Sequence, residues 1–345
     1  MSTLIQFRRD TAANWTSVNP ILAQGELGLE TDTSNYKIGD GVTDWNTLIY
    51  YQLSPQIPAL LFNTQTSNMT APPAGTMRLY AKELAGRVLP RYIGPSGLDS
   101  FLQPLLARNK IGYWCPPGNA TTVPGVMGYT APTIVGTATA RNITTANQLQ
   151  RMRRMGYVSA AGTAGALTSS RVAVAQITLG NGSGLGGFMK VIRFATSDAA
   201  TVSGARMFVG ISANTGAPTN VEPSTLVNSI GVGHGAADTN LKLYYGGSTA
   251  QTPIDLGANF PANTLSADVY ELALYSAPNW SGLVSYEVTR LNTGNVATGD
   301  LTGTSGVQLP APTTLLTYHW AYRTNNTSTL AVGLDIVSDY IETDS

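Results

Sequence analysis

Short apolar runs separated by turn residues fill the first fifty positions of the chain. LIQFRR, NPILAQGELGLET, YKIGDG and LIYYQL follow one another, with Asn, Asp, Gly and Pro between them. This spacing is typical of a β-meander or a set of hairpins. A short helical or turn insert is expected at residues 11–15. The pattern therefore predicts a small β module over residues 1–53.

The next segment changes from strand-like to helical periodicity. Residues 54–95 are rich in proline and polar residues, and short strands are expected near residues 77–80 and 87–93, which indicates a second small β module or a stalk. In SGLDSFLQPLLARN, apolar residues recur at the spacing of one helix face, at Leu98, Phe101, Leu102, Leu105 and Leu106. We expect an amphipathic helical neck, followed by a Pro/Gly-rich linker, within residues 96–130. The apolar face of this neck packs either on its own copies around a threefold axis or on a sheet of the same chain.

Strand-like runs continue from residue 131 to residue 345. VAVAQITL, GFMKVIRFA, ARMFVGIS, VYELALYS and TLLTYHWAYRT are examples, and Asn, Gly, Pro and Ser separate them. Eight or more such runs predict an antiparallel, jelly-roll-like β-sandwich. Residues 145–157 fit a helix or an exposed strand equally well. The fold class predicted for the chain is mainly β.

Composition restricts the class of protein further. Charged residues make up 12% of the chain and balance to a net charge of zero. The single cysteine, Cys115, cannot form an intrachain disulfide, so folding does not depend on an oxidising compartment. The sequence has no run of about 20 apolar residues that would span a bilayer. We expect assembly in the cytoplasm and no membrane insertion.

Charge is unevenly distributed along the chain. Residues 100–197 carry nine basic residues and no acidic ones, whereas residues 198–345 carry four basic and twelve acidic residues. Opposite charges of this kind either attract an anionic partner or let segments and subunits pair with each other. The second interpretation is favoured because nucleic-acid binders usually carry an overall excess of basic residues. We therefore expect no nucleic-acid partner.

The stretch YKIGDGVTDW indicates a tight turn. Gly39 and Gly41 permit positive φ angles, and the carboxylate of Asp40 can accept a hydrogen bond from the backbone two residues on. Trp45 then returns to cover a small core. The acidic residues here are spaced too widely for a calcium loop. We expect the turn to shape the backbone and to bind no metal.

These features occur in an order that resembles a known module. Residues 4–48 contain the Arg-Arg-Asp start, the Trp15 turn, Gly-Glu-x-Gly at 25–28 and the turn that ends at Trp45. They resemble the N-terminal module of bacteriophage tail fibres and related virion appendages, of the type found in the major tropism determinant. The resemblance implies a trimeric fibre whose module docks on the virion. The residues expected to shape or anchor it are Arg8, Arg9, Trp15, Gly39, Asp40, Gly41 and Trp45.

The chain offers few groups for enzymatic chemistry. Gly182-x-Gly184-x-x-Gly187 matches a dinucleotide fingerprint, but a strand is predicted to follow it, so the helix N-terminus that would hold a pyrophosphate is missing. With only two histidines and one cysteine, a histidine triad or a zinc site is not expected. We predict no catalytic residues, no cofactor and no metal, while calcium in the loop at 234–240 stays open. The twelve C-terminal acids also leave glycoside hydrolysis open.

Aromatic side chains near amide and hydroxyl groups suit sugar recognition, because sugar rings present C–H faces and hydroxyl edges. Trp280, in the loop APNWSG between two predicted strands, is the leading candidate. The other receptor-binding candidates are Tyr244, Tyr245, His234 and Asp238. GVGHGAADTNLKLYYGG, which holds four of these five residues, also resembles C-terminal domains of phage tail proteins.

The functional prediction combines these points. The chain is expected to be a virion protein of a phage tail, an intertwined homotrimeric fibre that contacts other tail or baseplate proteins. Its C-terminal sandwich would bind host polysaccharide or lipopolysaccharide, and trimerisation would raise avidity. One alternative is a head fibre, capsid decoration or tail adaptor protein that binds other virion proteins. The second alternative is a tailspike polysaccharide depolymerase.

Overall fold

The computed structural model describes residues 7–52, 60–97, 99–101, 110–116, 121 and 127–343. The chain separates into two compact units, Met1–Phe62 and Asn63–Ser345. The regular structure of the described residues consists of β-strands, one α-helix and two short 3-10 turns. No helix among those residues is long and apolar enough to cross a membrane. The mainly β class predicted from the sequence is confirmed.

The first unit is a four-stranded sheet with one helix. In chain order its elements are β1 (Arg8–Asp10), α1 (Ala12–Val18), β2 (Leu27–Glu30), β3 (Asn35–Ile38) and β4 (Tyr51–Gln52). Helix α1 begins after Thr11, whose side-chain oxygen accepts a hydrogen bond from the Asn14 N–H, and it ends at Asn19, which has a left-handed backbone (φ 44°). The predicted N-terminal β module and its helical insert are therefore present.

A small aromatic core holds this first unit together. The rings of Trp15 and Trp45 stack with centroids 4.1 Å apart, and both are buried with Leu22. Gly39 lies so close to the neighbouring chain that a Cβ atom there would be 2.3 Å from the Ala23 carbonyl oxygen. Only glycine fits at this crossing, which agrees with its expected role in shaping the module.

The second unit begins with another small sheet. In chain order it contains β5 (Thr64–Gln65), β6 (Arg78–Leu84), β7 (Arg87–Ile93) and β8 (Asp99–Phe101). The strands expected near residues 77–80 and 87–93 are present as β6 and β7. This sheet falls within the same compact unit as the sandwich that follows it.

The prediction of a helical neck is wrong for its first residues, Asp99–Phe101. Residues Asp99–Phe101 form a strand that pairs antiparallel with Arg91–Ile93 of β7. Backbone pairing with an existing strand prevails here because a short amphipathic pattern gives an isolated helix little stability. The neck residues Leu98, Leu102, Leu105 and Leu106 lie outside the described residues.

The rest of the second unit is a β-sandwich of two antiparallel sheets. The seven-stranded sheet has the order β10 (Thr133–Val135), β13 (Leu167–Arg171), β22 (Thr317–Thr324), β15 (Arg206–Ser212), β16 (Ser229–His234), β17 (Lys242–Gly246) and β18 (Ile254–Asp255). The eight-stranded sheet has the order β11 (Thr137–Ala140), β12 (Met155–Val158), β23 (Gly333–Thr343), β14 (Phe188–Thr196), β19 (Tyr270–Ser276), β20 (Leu283–Arg290) and β21 (Asn295–Thr302), with β9 (Lys110–Trp114) also paired to β23. The predicted antiparallel sandwich is confirmed.

Two ambiguous stretches of sequence acquire definite structures. Residues 145–157 form a 3-10 turn at Leu149–Arg151 and then enter β12. The Gly-x-Gly-x-x-Gly run is followed directly by β14, as the sequence predicted. Its glycines therefore lead into a strand and do not open a helix that could hold a pyrophosphate.

One hydrophobic core fills the space between the two sheets. It includes Ile192 and Phe194 of β14 together with Val209 and Ile211 of β15, all fully buried. Residues two apart on a strand share a face, so each sheet turns one set of alternate side chains into this core. The other set faces outward.

A β-bulge changes this alternation in the middle of β23. The pairing with β14 shifts between Arg193 and Phe194, so Val337 is an extra residue on β23. Leu334 and Ile336 face the inter-sheet core before the bulge, and the strand resumes after it with Asp339 facing inward. The bulge thus places a carboxylate inside the sandwich.

The β6–β7 hairpin covers part of the outer face of the eight-stranded sheet. Leu84, Ala85 and Leu89 of the hairpin form a buried cluster with Met189 of β14 and Ala273 of β19. An ion pair between the Arg87 guanidinium and the carboxylate of Glu342 on β23 adds to this contact. Gly86 at the hairpin tip lies beside Ser285 of β20.

Candidate functional site

A groove lies where the tip of the β6–β7 hairpin meets the outer face of β20 and β21. Its volume is about 320 Å³, and Trp280, in the turn between β19 and β20, lines one side. The full lining is Glu83, Ala85, Gly86, Trp280, Leu283, Ser285, Tyr286, Thr298, Gly299 and Asp300. The leading candidate of the sequence analysis is therefore part of a concave surface.

The aromatic side of the groove is held in place by its neighbours. The Trp280 ring meets the Tyr275 ring edge to face, with centroids 5.1 Å apart, and remains half-exposed. Gly86 has φ +74°, and a Cβ atom there would lie 2.8 Å from Ser285 Oγ and 3.5 Å from the Trp280 ring. The hairpin therefore approaches the sheet as closely as a glycine allows.

The polar side of the groove presents oxygen atoms. Glu83, Thr298 and Asp300 are exposed, and Ser285 donates a hydrogen bond of 2.5 Å to Asp300 Oδ1. Under the hairpin, burial raises the pKa of Glu287, while a hydrogen bond from the Ala85 N–H and the charge of Lys82 act in the opposite direction. The groove thus combines an indole with outward-facing carboxylate and hydroxyl groups.

This combination is suited to binding and positioning a polar ring. An aromatic face packs on C–H groups, and carboxylates accept hydrogen bonds from hydroxyl groups. In the part of the chain that the structure describes, no cluster of three or more His, Cys, Asp or Glu side chains is arranged to hold a metal ion.

The other four receptor-binding candidates lie elsewhere, on or beside β16 and β17 of the seven-stranded sheet. Tyr244 is buried, and its hydroxyl donates a hydrogen bond of 2.7 Å to Asp238 Oδ2. Asp238 also pairs with Lys242 at 2.6 Å, and Tyr245 packs half-buried against the inter-sheet core. These residues are not brought together with Trp280, because β16 and β17 belong to the other sheet.

His234 is a buried member of an ionic cluster. Its Nε2 accepts a hydrogen bond of 2.7 Å from Arg323, which also binds both carboxylate oxygens of Asp198. Burial, followed by the positive charge of Arg323, lowers the pKa of His234 to about 3. The imidazole is therefore neutral at physiological pH and acts as an acceptor inside the sandwich.

A second buried cluster has the atomic arrangement of a catalytic triad. His319 Nε2 lies 2.9 Å from Ser170 Oγ, and His319 Nδ1 lies 2.7 Å from Asp339 Oδ2. Asp339 also accepts hydrogen bonds from Lys190 at 2.5 Å and from Tyr129 at 2.6 Å. The sequence analysis did not expect a histidine triad, because the chain has only two histidines.

Access distinguishes this cluster from an active site. Ser170 and Asp339 have no exposed surface, and 1% of His319 is exposed. A nucleophile must reach its substrate, and this serine lies between the two sheets. The cluster therefore satisfies buried polar groups and links the sheets.

The turn at Asp40 has the predicted structure. Its carboxylate accepts hydrogen bonds from the N–H groups of Val42 and Thr43, at 2.9 and 2.7 Å, and from the Thr43 hydroxyl at 2.5 Å. The Thr43 hydroxyl contributes most to lowering the pKa of Asp40 to about 2. Gly41 follows with φ +80°. This carboxylate is used in shaping the turn.

The N-terminal arginines lie at the surface of the first unit. Arg8 pairs with Glu26 at 3.3 Å, and its guanidinium lies 5.2 Å from the Trp15 ring centroid. Arg9 is exposed on β1. The residues singled out in the first unit thus divide into a buried tryptophan pair, a tight turn and an exposed basic pair.

A family comparison identifies this N-terminal segment. Residues 5–43 match the family model of the major tropism determinant N-terminal domain. The match confirms the resemblance drawn from the Arg-Arg-Asp start and the turn that follows. A search of curated proteins gave no match for the chain.

Solved structures with similar folds include plant lectins. Lectin II from Ulex europaeus is 10% identical over 69% of this chain and 100% of its own, with a TM-score of 0.44. Peanut lectin is 12% identical over 68% of this chain and 97% of its own, with a TM-score of 0.42. A protein of unknown function from Shewanella oneidensis is 10% identical over 70% of this chain and 89% of its own, also with a TM-score of 0.42.

Proposed function

We propose that the chain is a bacteriophage tail fibre that attaches the virion to a glycan on the host surface through its C-terminal β-sandwich. The observation that carries this proposal is the match of residues 5–43 to the major tropism determinant N-terminal domain. The first unit would dock on other tail or baseplate proteins, leaving the second unit to meet the host. The fibre would assemble in the host cytoplasm.

The groove at Trp280 supports glycan recognition by the second unit. It is concave, its aromatic ring is half-exposed, and its carboxylate and hydroxyl oxygens face outward. Its volume of about 320 Å³ is at the lower end of the range for small-ligand sites, roughly 300–1,000 Å³. A site of this size suits one or two sugar rings of a longer polysaccharide.

The test uses fluorescently labelled full-length protein, host cells and lipopolysaccharide extracted from them. We expect saturable binding that is lost in surface-polysaccharide mutants of the host. Trp280→Ala should weaken binding by about tenfold or more, because buried aromatic contacts dominate most binding sites. Tyr92→Ala is the matched control, since Tyr92 is an exposed aromatic residue that does not line the groove.

Other results would favour the alternatives. Protein that binds no cells but co-assembles with virion components would favour a head fibre, capsid decoration or tail adaptor. Release of reducing sugar from host polysaccharide would favour a depolymerase, with Glu83 and Asp300 as the first residues to mutate. We propose binding without turnover, so neither result is expected.

The proposal also includes a homotrimer, which would raise avidity through linked binding sites. Light scattering of the purified protein should give three times the 36.3 kDa mass of one chain. A monomeric mass at micromolar concentration would contradict this part of the proposal and leave glycan binding by a single groove to be judged on its own.

A further inference from the structure

The groove at Trp280 is lined by acidic but not by basic side chains. The ten described residues that line it include two acidic residues, Glu83 and Asp300, and no lysine, arginine or histidine. The carboxylate of Glu287, which is not among these ten residues, lies under the hairpin tip and accepts a hydrogen bond from the Ala85 N–H. A ligand in the groove therefore meets a surface of negative charge.

Two basic side chains of the hairpin, those of Lys82 and Arg87, have partners outside the lining of the groove. Lys82 Nζ donates a hydrogen bond of 2.8 Å to Asn68 Oδ1, and it attracts the carboxylate of Glu287. Arg87 forms an ion pair with Glu342, outside the groove. None of these cations is among the residues that line the groove, so an anionic ligand would find no charged partner there.

The lining oxygens define the complementary ligand. Asp300 accepts a hydrogen bond from Ser285 through Oδ1, and the residue is exposed. An ionised carboxylate only accepts hydrogen bonds, so its partner must donate them. Adjacent hydroxyl groups of a sugar ring are such donors, and the C–H face of the same ring can pack on Trp280.

We propose that this groove selects uncharged hexose units and rejects hexuronic acids and other anionic sugars. The inference rests on the proposed function, because it assigns a ligand class to the same site. Like charges a few ångströms apart repel strongly at a protein surface, whereas a neutral hydroxyl on the same ring carbon donates a hydrogen bond. The preference is therefore set by charge as well as by shape.

Matched sugars test this selectivity on the full-length protein. Immobilised oligosaccharides of glucose and galactose are compared with oligosaccharides of glucuronic and galacturonic acid, each at low and high salt. We expect binding to the hexose probes that changes little with salt. Hexuronate probes should bind about tenfold more weakly or not at all, and least at low salt, where repulsion is unscreened.

Charge variants show whether the groove causes the preference. The double variant Glu83→Gln/Asp300→Asn removes both negative charges, while each side chain keeps an acceptor oxygen. The ratio of hexose to hexuronate binding should therefore fall by about tenfold. Asp255→Asn, on β18 of the other sheet, removes an exposed charge and should leave the ratio unchanged. Thermal melting of each variant verifies that it is folded.

The two proposals fail in different ways. Binding to hexuronates as strong as to hexoses, and abolished by Trp280→Ala, would overturn the charge selectivity while retaining glycan binding at the groove. A hexose preference that survives the double variant would also overturn it. Binding to neither probe set, together with no binding to host cells, would overturn the proposed function itself.

Discussion

The inner face of the eight-stranded sheet and the exposed outer side of its edge strand β21 use the same residue type in opposite ways. Asp339, on the inner face, is fully buried and accepts hydrogen bonds from Lys190, His319 and Tyr129. Asp300, on the outer face, is exposed and accepts one hydrogen bond from Ser285. The difference shows that burial, and not the chemistry of the side chain, decides whether a carboxylate is paired inside the fold or left in contact with solvent.

The inner carboxylate depends on its partners to remain ionised. Burial alone would raise the pKa of Asp339, but the charge of Lys190 and the hydrogen bond from His319 hold it below its usual value. Removing one partner of a buried pair leaves an uncompensated charge, which costs far more than losing a surface pair.

The largest expected effect follows from removing the cation of the inner pair. Lys190→Met should lower the free energy of unfolding by about 3–5 kcal/mol, because Asp339 would lose its buried counter-charge. Urea denaturation at neutral pH, followed by circular dichroism, measures the change.

The matched control lies on the same strand. Arg193 pairs with Glu271 at 2.6 Å on the outer face, and 44% of its side chain is exposed. Arg193→Met should cost less than about 1 kcal/mol, as is usual for exposed pairs. Equal losses for the two variants would contradict the distinction between the buried and the exposed ion pair.

The next effect is a loss of stability in acid. The pKa of His234 is lowered from 6.5 to about 3 by burial and by Arg323, so between these values the unfolded chain binds a proton that the folded chain does not. The contribution of His234 to the free energy of unfolding is therefore complete above pH 6.5. As the pH falls below 6.5, this contribution decreases by about 1.4 kcal/mol per pH unit. Burial also lowers the pKa of His319, which adds a contribution of the same sign.

Unfolding free energies at pH 7 and pH 5 test this linkage. His234 should contribute a loss of about 2 kcal/mol over that interval. In His234→Gln the amide oxygen can still accept the hydrogen bond from Arg323 but does not titrate, so the loss should be smaller by that amount. An unchanged difference between the two pH values would show that His234 is not the group responsible.

The sequence predicted the features that depend on local pattern. Alternating apolar residues predicted the sandwich, and the glycines around Asp40 predicted a turn that the structure contains. The charge asymmetry predicted pairing between chain segments. It is confirmed by the Asp335 carboxylate, which binds Arg141 at 3.1 Å and Arg154 at 2.9 Å, and by the Lys190–Asp339 pair.

The features that were missed depend on contacts between distant segments. Glu83 and Asp300 line one groove although more than two hundred positions separate them in the sequence. No local sequence pattern predicts that they lie close together. The extra residue at Val337 reverses which side chains of β23 face inward, so simple alternation would place Asp339 on the wrong face. Phe101 matched a helical stripe, but the pairing of its strand with β7 prevailed.

The smallest expected effect on stability is that of replacing the exposed Asp300. Asp300→Asn should change the free energy of unfolding by no more than about 0.5 kcal/mol, because the side chain is exposed and the amide oxygen can still accept the Ser285 hydrogen bond. Asp339→Asn, measured by the same urea denaturation, should be far more damaging, since it leaves the Lys190 charge buried without a counter-ion. If the two substitutions cost the same, exposure would not distinguish the two acids, and Asp300 would have to be regarded as part of the fold rather than as a group available to a ligand.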